Sequence, residues 1–370
     1  MQPWLIEPRD PLIVRDGRPF DNTPGSRARS LAFPLPSTLA GGVRTRAGLD
    51  AQGRFAGDVD LLLKHSLRGP LLVVAGREAV EFFAPAPADA MMMDGARVHR
   101  LRPRRLQDGE MANVGDGLMP VFLGPEVKGK PQGMPAYWSW ARYERWLLEP
   151  ADLSVTPWDI GIPGPVREYR THVAIERGSL TAKEGALFQT SGLEFTWVPR
   201  EGRLRDGRRL ALAVETDAPI RAGVAPLAGE RRLVCWRAGL PFPACPADLA
   251  DRVAGTGACR LVLLTPAYFE ARGYLPQWIC NATDGVLVKV KAAAVNRAVV
   301  ISGWNLKTSR PKPTRRLAPA GSVYFLKLDG EESLIRAWVQ RFWLRNFSDD
   351  EQSRRDGFGL AAVGVWEGEE

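Results

Sequence analysis

Residues 167–198 read "REYRTHVAIERGSLTAKEGALFQTSGLEFTWV" and form strand-like pieces with a turn in the middle. Further along, "RLRDGRRLALAVE" carries a hairpin signal at Asp206-Gly207, because an Asp-Gly pair suits the tight turn between antiparallel strands. The segments "CRLVLLTP", "GVLVKVKAAAV" and the terminal "GFGLAAVGVW" predict further strands. A second, sheet-rich unit is therefore predicted to begin near residue 200.

One helix is predicted in this second unit, over "SLIRAWVQRFWLRNF". Consecutive helical residues diverge by about 100°, so Phe342 and Trp343 cannot both face one core. We expect Trp343 to meet the other domain or a partner.

The first half of the chain also mixes strands with helices. "WLIEPRDPLIVRDGRPF" predicts an edge strand because Pro8 and Pro11 cannot donate to a ladder, and a turn should follow at Asp16-Gly17. "PLPSTLAGGVRTRAGL" predicts a helix with Ser37 as N-cap. "GPLLVVAG" and "EAVEFFAPAP" predict two short strands, and "YWSWARYERWLLE" predicts an amphipathic helix.

The pattern becomes irregular over residues 91–133, a stretch that contains the arginine-rich "RVHRLRPRRL". Such a long insertion without regular structure is usually functional or mobile. Together these patterns predict an α+β protein of two domains, residues 1–200 with an insertion at about 90–135, and residues 201–370.

The chain has 370 residues, is 45% hydrophobic and carries 50 Lys and Arg against 42 Asp and Glu, a net charge of +8. Arginine supplies 41 of those cations, and its planar guanidinium matches phosphate. GC-rich codon usage would also produce many arginines, so the placement of the charges has to decide their role.

Other function classes find little support. The four cysteines are too far apart for a CxxC pair, which predicts a reduced, cytoplasmic protein without structural zinc. The longest apolar runs are far too short to cross a bilayer. The GxxxxGK[ST], GxSxG and HExxH signatures are absent, and we expect no cofactor.

Two candidate sites have competing interpretations. His172 could act as a general base on RNA, but it lacks an evident catalytic partner, so a packing or hydrogen-bonding role is favoured. The glycines of "GFGLAAVG" could bring their amides close to a phosphate backbone, or they could simply permit tight strand packing.

The segment "WNLKTSRPKPTRRLAPAGSVYF", residues 304–325, is strongly basic. Its prolines stiffen it, so less entropy is lost when its cations are fixed on a partner. We predict that it meets an anion.

Several of these segments together resemble one family. They are "EPRDPLIVRDGRPF", "SLAFPLPSTLAGGVRTRAG", "HVAIERGSLTAKEGALFQTSGLEF", "GWNLKTSRPKPTRRLAPAGSVYF" and "GFGLAAVGVW". In this order they resemble the subunit that caps the 5′ end of CRISPR RNA (crRNA) in the type III-B Cmr effector complex, one of the RAMP proteins. The resemblance covers both ends and the middle of the chain.

The resemblance implies two ferredoxin-like (RRM-like) domains and an arginine-bearing β-hairpin thumb, which would be the arginine segment, residues 97–105. It implies a non-catalytic, antiviral ribonucleoprotein subunit that holds the 5′ repeat-derived tag of crRNA. The implied protein partners are the large polymerase-like subunit and the backbone RAMP subunits, with no membrane. The RNA-binding residues predicted from the resemblance and from the basic segments are Arg18, Arg29, Ser37, Thr38, Arg44, Arg97, Arg100, Arg102, Arg104, Arg105, His172, Gln189, Thr190, Lys307, Lys312, Arg315, Arg316, Gly357 and Gly359.

Two alternatives remain open at this point. One is a metal-independent ribonuclease that processes CRISPR repeat RNA with His172. The other is a structural bridge whose basic loops pair with acidic protein surfaces.

Overall fold

A computed structural model describes residues 1–15, 27–28, 30–76, 80–93, 97–115, 117–199, 202, 206–281, 284–305, 310–311 and 313–368. Its helices are α1 (Pro36–Ala47), α2 (Val59–Leu62), α3 (Trp140–Leu148), α4 (Pro157–Ile160), α5 (Leu249–Thr256), α6 (Trp278–Asn281), α7 (Glu332–Phe342) and α8 (Glu351–Asp356). Each helix in these ranges is too short or too polar to cross a membrane.

The strands are short and numerous. They are β1 (Gln2–Pro8), β2 (Arg27–Ala28), β3 (Leu67–Ala75), β4 (Val80–Pro85), β5 (Ala90–Met93), β6 (Arg97–Arg100), β7 (Arg102–Pro103), β8 (Val121–Phe122), β9 (Pro131–Gln132), β10 (Tyr137–Ser139), β11 (Leu153–Ser154), β12 (Gly161–Ile162), β13 (Val166–Ile175), β14 (Ala182–Glu194), β15 (Thr196–Trp197), β16 (Arg208–Thr216), β17 (Gly223–Pro226), β18 (Leu233–Ala238), β19 (Ala258–Leu263), β20 (Leu287–Ala294), β21 (Val299–Ile301), β22 (Trp304–Asn305), β23 (Arg310–Pro311), β24 (Arg315–Leu317), β25 (Val323–Asp329), β26 (Arg345–Asn346) and β27 (Leu360–Val365).

The N-terminal sheet is antiparallel, with the order β12-β10-β4-β3-β16-β1-β18-β17, and β15 pairs with β16. The predicted strands around Gly76 are confirmed as β3 and β4. β1, however, lies in the interior between β16 and β18, not at an edge. The ladder tolerates the two prolines on which the edge position was predicted, because Pro8 is the last residue of β1 and Pro11 lies beyond it.

The predicted domain boundary between residues 200 and 201 passes through the N-terminal sheet. It separates β15 from its partner β16, and β16 lies between β3 and β1. The predicted tight turn at Asp206-Gly207 is wrong, because the connection between the paired strands β15 and β16 runs over residues 198–207 and is much longer than two residues. A boundary at residues 239–248 would keep both large sheets whole.

The C-terminal sheet is also antiparallel, with the order β20-β25-β19-β27-β26. Its strands β19, β20 and β27, and helix α7, confirm the predicted elements. The indole Nε1 of Trp343, the residue after α7, donates to the carbonyl of Pro243 at 2.9 Å, and its ring meets Trp140 of α3 edge-on at 6.3 Å. Trp343 therefore contacts the other unit, as predicted. The premise that Phe342 and Trp343 cannot share one core is wrong, because α7 ends at Phe342 and both side chains lie in the same core.

A buried ionic cluster joins the two units. Asp89, between β4 and β5, is completely buried and accepts from Arg260 of β19 at 2.5 Å, Arg100 of β6 at 3.3 Å and the indole of Trp146 at 3.0 Å. Burial raises the pKa of the Asp89 carboxyl, and the charge of Arg260 opposes that rise. The cluster ties α3 and the start of the insertion to the C-terminal sheet.

The insertion predicted at about 90–135 contains regular structure. β5 pairs with β6 and β9, and β6 pairs with β11, which makes a small separate sheet. Met119 also bridges to Ala292 of β20, the edge of the C-terminal sheet. The expectation of an irregular segment is corrected, because short strands of two to four residues leave too little periodicity in the sequence.

Candidate nucleic-acid interface

The hairpin, which we define as β13 and β14, is the long antiparallel element of this region. At about 3.3 Å per residue, the ten residues of β13 span about 33 Å. Most of its side chains are exposed or half-buried up to the point where Ser191 and Leu193 enter the core. The arginine segment, predicted to be the thumb, lies in a different sheet, where β6 forms an antiparallel pair with β5, and its role as the thumb stays a prediction.

Three predicted RNA-binding residues come together on the hairpin. The Nε2 atom of His172 lies 2.9 Å from the hydroxyl of Thr190, and its ring stacks on Phe188 with centroids 5.0 Å apart. Gln189 donates to the hydroxyl of Thr171 at 3.3 Å. The favoured packing and hydrogen-bonding role of His172 agrees with these contacts.

A short parallel pairing connects the hairpin to α1. Gln189 and Thr190 of β14 pair with β2, and the amide of Ser30 donates to the hydroxyl of Ser191 at 2.8 Å. Ser37 follows Ser30 by only seven positions, a reach of about 25 Å at most. The N-terminus of α1 is thus tethered near the base of the hairpin.

Ser37 and Thr38 lie in the first turn of α1 and are half-buried. Ser37 is not the N-cap as predicted, because the helix begins one residue earlier with Pro36 and its cap is Leu35. This cap residue supplies no side-chain hydrogen bond, and the first turn contains no acid. Pro36 has no N–H, and the amide of Thr38 donates to the carbonyl of Leu35 at 3.0 Å, so among these three residues the amide of Ser37 is the donor that could face an anion.

Aromatic and apolar side chains line a narrow groove beside this turn. The rings of Phe33 and Tyr137 lie 5.3 Å apart, and Pro266 and Ala320 of the C-terminal unit face them across the groove. Sequence reasoning missed these residues, although Phe33 lies inside one of the segments that carry the resemblance. Half-exposed rings of this kind can stack on bases.

Arg44 has a structural role. Its guanidinium pairs with Asp356 at 2.6 Å and donates to the carbonyls of Leu62 and His65 at 3.1 Å each. We therefore remove Arg44 from the RNA-binding set, since its donors hold α1 against α8 and the segment after α2.

The arginine segment is divided between surface and core. Arg100 is only 6% exposed, because it joins the Asp89 cluster and its guanidinium lies 3.6 Å from the ring centroid of Trp146. It is not available to RNA in this arrangement. Arg97 pairs with Asp152 at 3.4 Å, and Arg102 donates to the carbonyl of Pro150 at 3.0 Å. Arg104 forms a bidentate pair with Glu110, with both distances at 2.9 Å. Arg97, Arg102 and Arg105 remain exposed.

The two predicted glycines are buried, and their amides bond within the protein. Gly359 donates to the carbonyl of Pro266 at 2.8 Å, and Gly357 donates to the carbonyl of Arg354 at 3.2 Å. The competing interpretation, tight strand packing, accounts for the burial and the hydrogen bonds of both glycines. We therefore remove Gly357 and Gly359 from the RNA-binding set.

The basic segment at residues 304–325 is described only in part. β22 pairs with β23, and β24 pairs with β21. Arg315 and Arg316 are both exposed, and Arg315 donates to Asp350 at 3.1 Å and lies over the ring of Tyr268. The predicted residues that lie outside the described ranges are Arg18, Arg29, Lys307 and Lys312.

These features define an α+β protein of mostly antiparallel sheets, with a largely exposed hairpin whose base is connected to a helix N-terminus. The chain belongs to the Cas_Cmr3 family of CRISPR-associated proteins, whose model matches residues 4–366. The predicted resemblance is confirmed at the level of the family. No curated protein matches the chain.

Solved structures show a similar fold. A chain of the type III-B Cmr-β complex bound to cognate target RNA and AMPPnP is 14% identical, with a TM-score of 0.52 and coverage of 98% of both chains. A second Cmr-β structure bound to cognate target RNA is 14% identical, with a TM-score of 0.48 and coverage of 87% of this chain and 86% of the other. Because the first match is only 14% identical, it shows a similar fold and nothing more.

Proposed function

We propose that this protein is a crRNA-binding subunit of a type III-B Cmr complex and holds the 5′ repeat-derived tag. Membership of the Cas_Cmr3 family over residues 4–366 supports the assignment. So does the fold that the chain shares with a chain of a Cmr-β complex bound to target RNA. The tag and its recognition are the parts of this proposal that need direct tests.

One observation carries the proposal, the pairing of β14 with β2. It brings Gln189 and Thr190 near the segment that leads into Ser37 and Thr38. One surface then offers amide and hydroxyl donors for phosphates, and the rings of the neighbouring groove for bases. Fixed single-stranded RNA is recognised by this combination of contacts.

We further propose that the chain bridges the large polymerase-like subunit and the backbone subunits. The hairpin offers a face for such contacts, because Tyr169, Val173 and Leu187 lie on one side of it and are 67%, 42% and 57% exposed. Exposed apolar side chains grouped in this way often mark interaction surfaces.

The domain organisation is also a proposal. We place a ferredoxin-like module in the C-terminal unit, supported by the βαββαβ succession of β19, α6, β20, β25, α7 and β27. The N-terminal unit, in which β16 lies between β1 and β3, supports this interpretation less directly. We propose that the two modules meet at residues 239–248.

We propose that the subunit is not a nuclease. His172→Ala should leave repeat RNA processing unchanged, because its Nε2 atom contacts a threonine hydroxyl and its ring is stacked. Purified wild-type and variant proteins, incubated with repeat RNA in the presence of a chelator, provide the measurement. Cleavage by the wild type that disappears in His172→Ala would instead establish the ribonuclease alternative.

The basic segment should contribute phosphate contacts. Arg315 already donates a hydrogen bond to Asp350, so the prediction is limited to Lys312 and Arg316. Each neutralised phosphate on a single strand contributes about −0.7 to the slope of log affinity against log salt. Replacing both residues by Ala should weaken binding of tagged RNA and reduce the slope by about 1.4.

Assembled complexes titrated with tagged RNA at several salt concentrations provide this measurement. Lys64→Ala with Arg221→Ala, two exposed cations elsewhere, forms the matched control and should leave the slope unchanged. An equal slope in both double variants would favour the protein-bridge alternative for residues 312–316.

A further inference from the structure

An open cleft of about 580 Å³ lies where the N-terminal ends of β1 and β3 meet α6, α7, β26 and α8. We call it the arginine cleft because five arginines line it within the described residues. They are Arg68, Arg341, Arg345, Arg354 and Arg355. None of the residues proposed to contact the tag lines it, so the inference below does not rest on the proposed function.

The cleft is positively charged overall. Its lining carboxylates, Asp284 and Glu351, pair with Arg341 and Arg355 respectively. Arg68 pairs with the buried Glu215. In the described part of the chain, Arg345 and Arg354 form no ion pair, although the charges of Asp349, Asp350 and Glu351 act on Arg354 from nearby.

The protein holds these two guanidinium groups in place. Nη1 of Arg354 donates to the carbonyls of Ser348 and Asp349 at 2.6 Å each, and its guanidinium lies 4.4 Å from the ring centroid of Trp278. Nε of Arg345 donates to the carbonyl of Arg341 at 3.1 Å, which leaves its terminal nitrogens in the exposed part of the cleft. Burial lowers the pKa of the Arg354 guanidinium, and a bound anion would offset this cost.

The shape and chemistry of the cleft select the class of ligand. Its volume lies within the range of about 300–1,000 Å³ that is usual for small-molecule sites. Its cations are all arginines, whose forked donors match the oxygens of a phosphate group. We propose that the arginine cleft binds a phosphate ester through Arg345 and Arg354.

This ester could belong to a free nucleotide or to an RNA backbone outside the tag, and the experiment separates these sources. The purified full-length chain is titrated with ATP and, separately, with a short oligouridylate that lacks the tag sequence. Arg345→Glu should weaken the binding of at least one probe about tenfold or more, because it removes a charged donor and adds a repelling carboxylate. If the variant loses affinity for ATP alone, the cleft is a nucleotide site. If it loses affinity for the oligouridylate, the cleft binds an RNA backbone.

Arg221→Glu makes the same change of charge on an exposed residue between β16 and β17 and should leave both affinities unchanged. Arg345→Lys retains the positive charge but lacks the forked donors of the guanidinium group. We therefore expect a smaller loss of affinity than with Arg345→Glu. This second variant also keeps the test decisive if Arg345→Glu does not fold. The proposal is overturned if neither probe binds, if both Arg345 variants bind as the wild type does, or if polyglutamate shows the same dependence on Arg345.

Discussion

Replacing Asp89 with Asn should lower the free energy of unfolding by about 3–5 kcal/mol, the usual cost of removing one partner from a buried ion pair. The substitution preserves the shape of the side chain but removes the only carboxylate that the described contacts give to the guanidinium groups of Arg100 and Arg260. Both guanidinium groups are nearly inaccessible to water, so solvent cannot replace the lost charge. Urea denaturation of the purified chain provides the measurement.

Glu332→Gln is the matched control. It removes a carboxylate from an exposed pair with Arg336 within α7, where solvent screens the interaction. We expect at most a small change of the unfolding midpoint. If Asp89→Asn shifts the midpoint no more than Glu332→Gln does, the cluster does not stabilise the junction between the units.

Gly359→Ala should destabilise the protein by roughly 2–5 kcal/mol. Gly359 has a φ of +81°, a conformation that costs a residue with a β-carbon about 1–2 kcal/mol. The added carbon would also lie 2.7 Å from the amide nitrogen of Ser348 and 2.9 Å from that of Phe347. Backbone atoms cannot move aside easily, so overpacking should add about 1–3 kcal/mol.

Gly53→Ala separates the two contributions. Gly53 has a similar φ of +77°, but a β-carbon there would meet no atom within 4 Å. Thermal unfolding should therefore show a smaller loss for Gly53→Ala than for Gly359→Ala. A Gly359→Ala protein of unchanged stability that binds tagged RNA less tightly would return this glycine to the RNA-binding set.

The elements that could be predicted from the sequence are those with a strong local pattern. β19, β20 and β27 are apolar runs bounded by turn residues, and α3 and α7 have clear amphipathic periods. The position of β1 could not be predicted, because its neighbours β16 and β18 lie more than 200 residues further along the chain. Pairing between such distant segments leaves no local signal.

The residues of the candidate site also fall into those that could be predicted from the sequence and those that could not. His172, Gln189 and Thr190 come together because the turn and register of one hairpin relate them. The role of Arg100 could not be predicted, since its burial depends on Asp89, on the ring of Trp146 and on a strand of the second unit. Arginine composition alone does not distinguish a cation that faces RNA from one that joins two units.

The position of β16 in the N-terminal sheet has a consequence for how this protein is made. A nascent chain that has reached residue 200 contains β1 and β3 but lacks the strand that lies between them. The two strands then expose unpaired edges, which can associate with other chains. On the ribosome, the N-terminal sheet can close only after residues 208–216 have left the exit tunnel, so its assembly is delayed until well over half of the polypeptide has been synthesised.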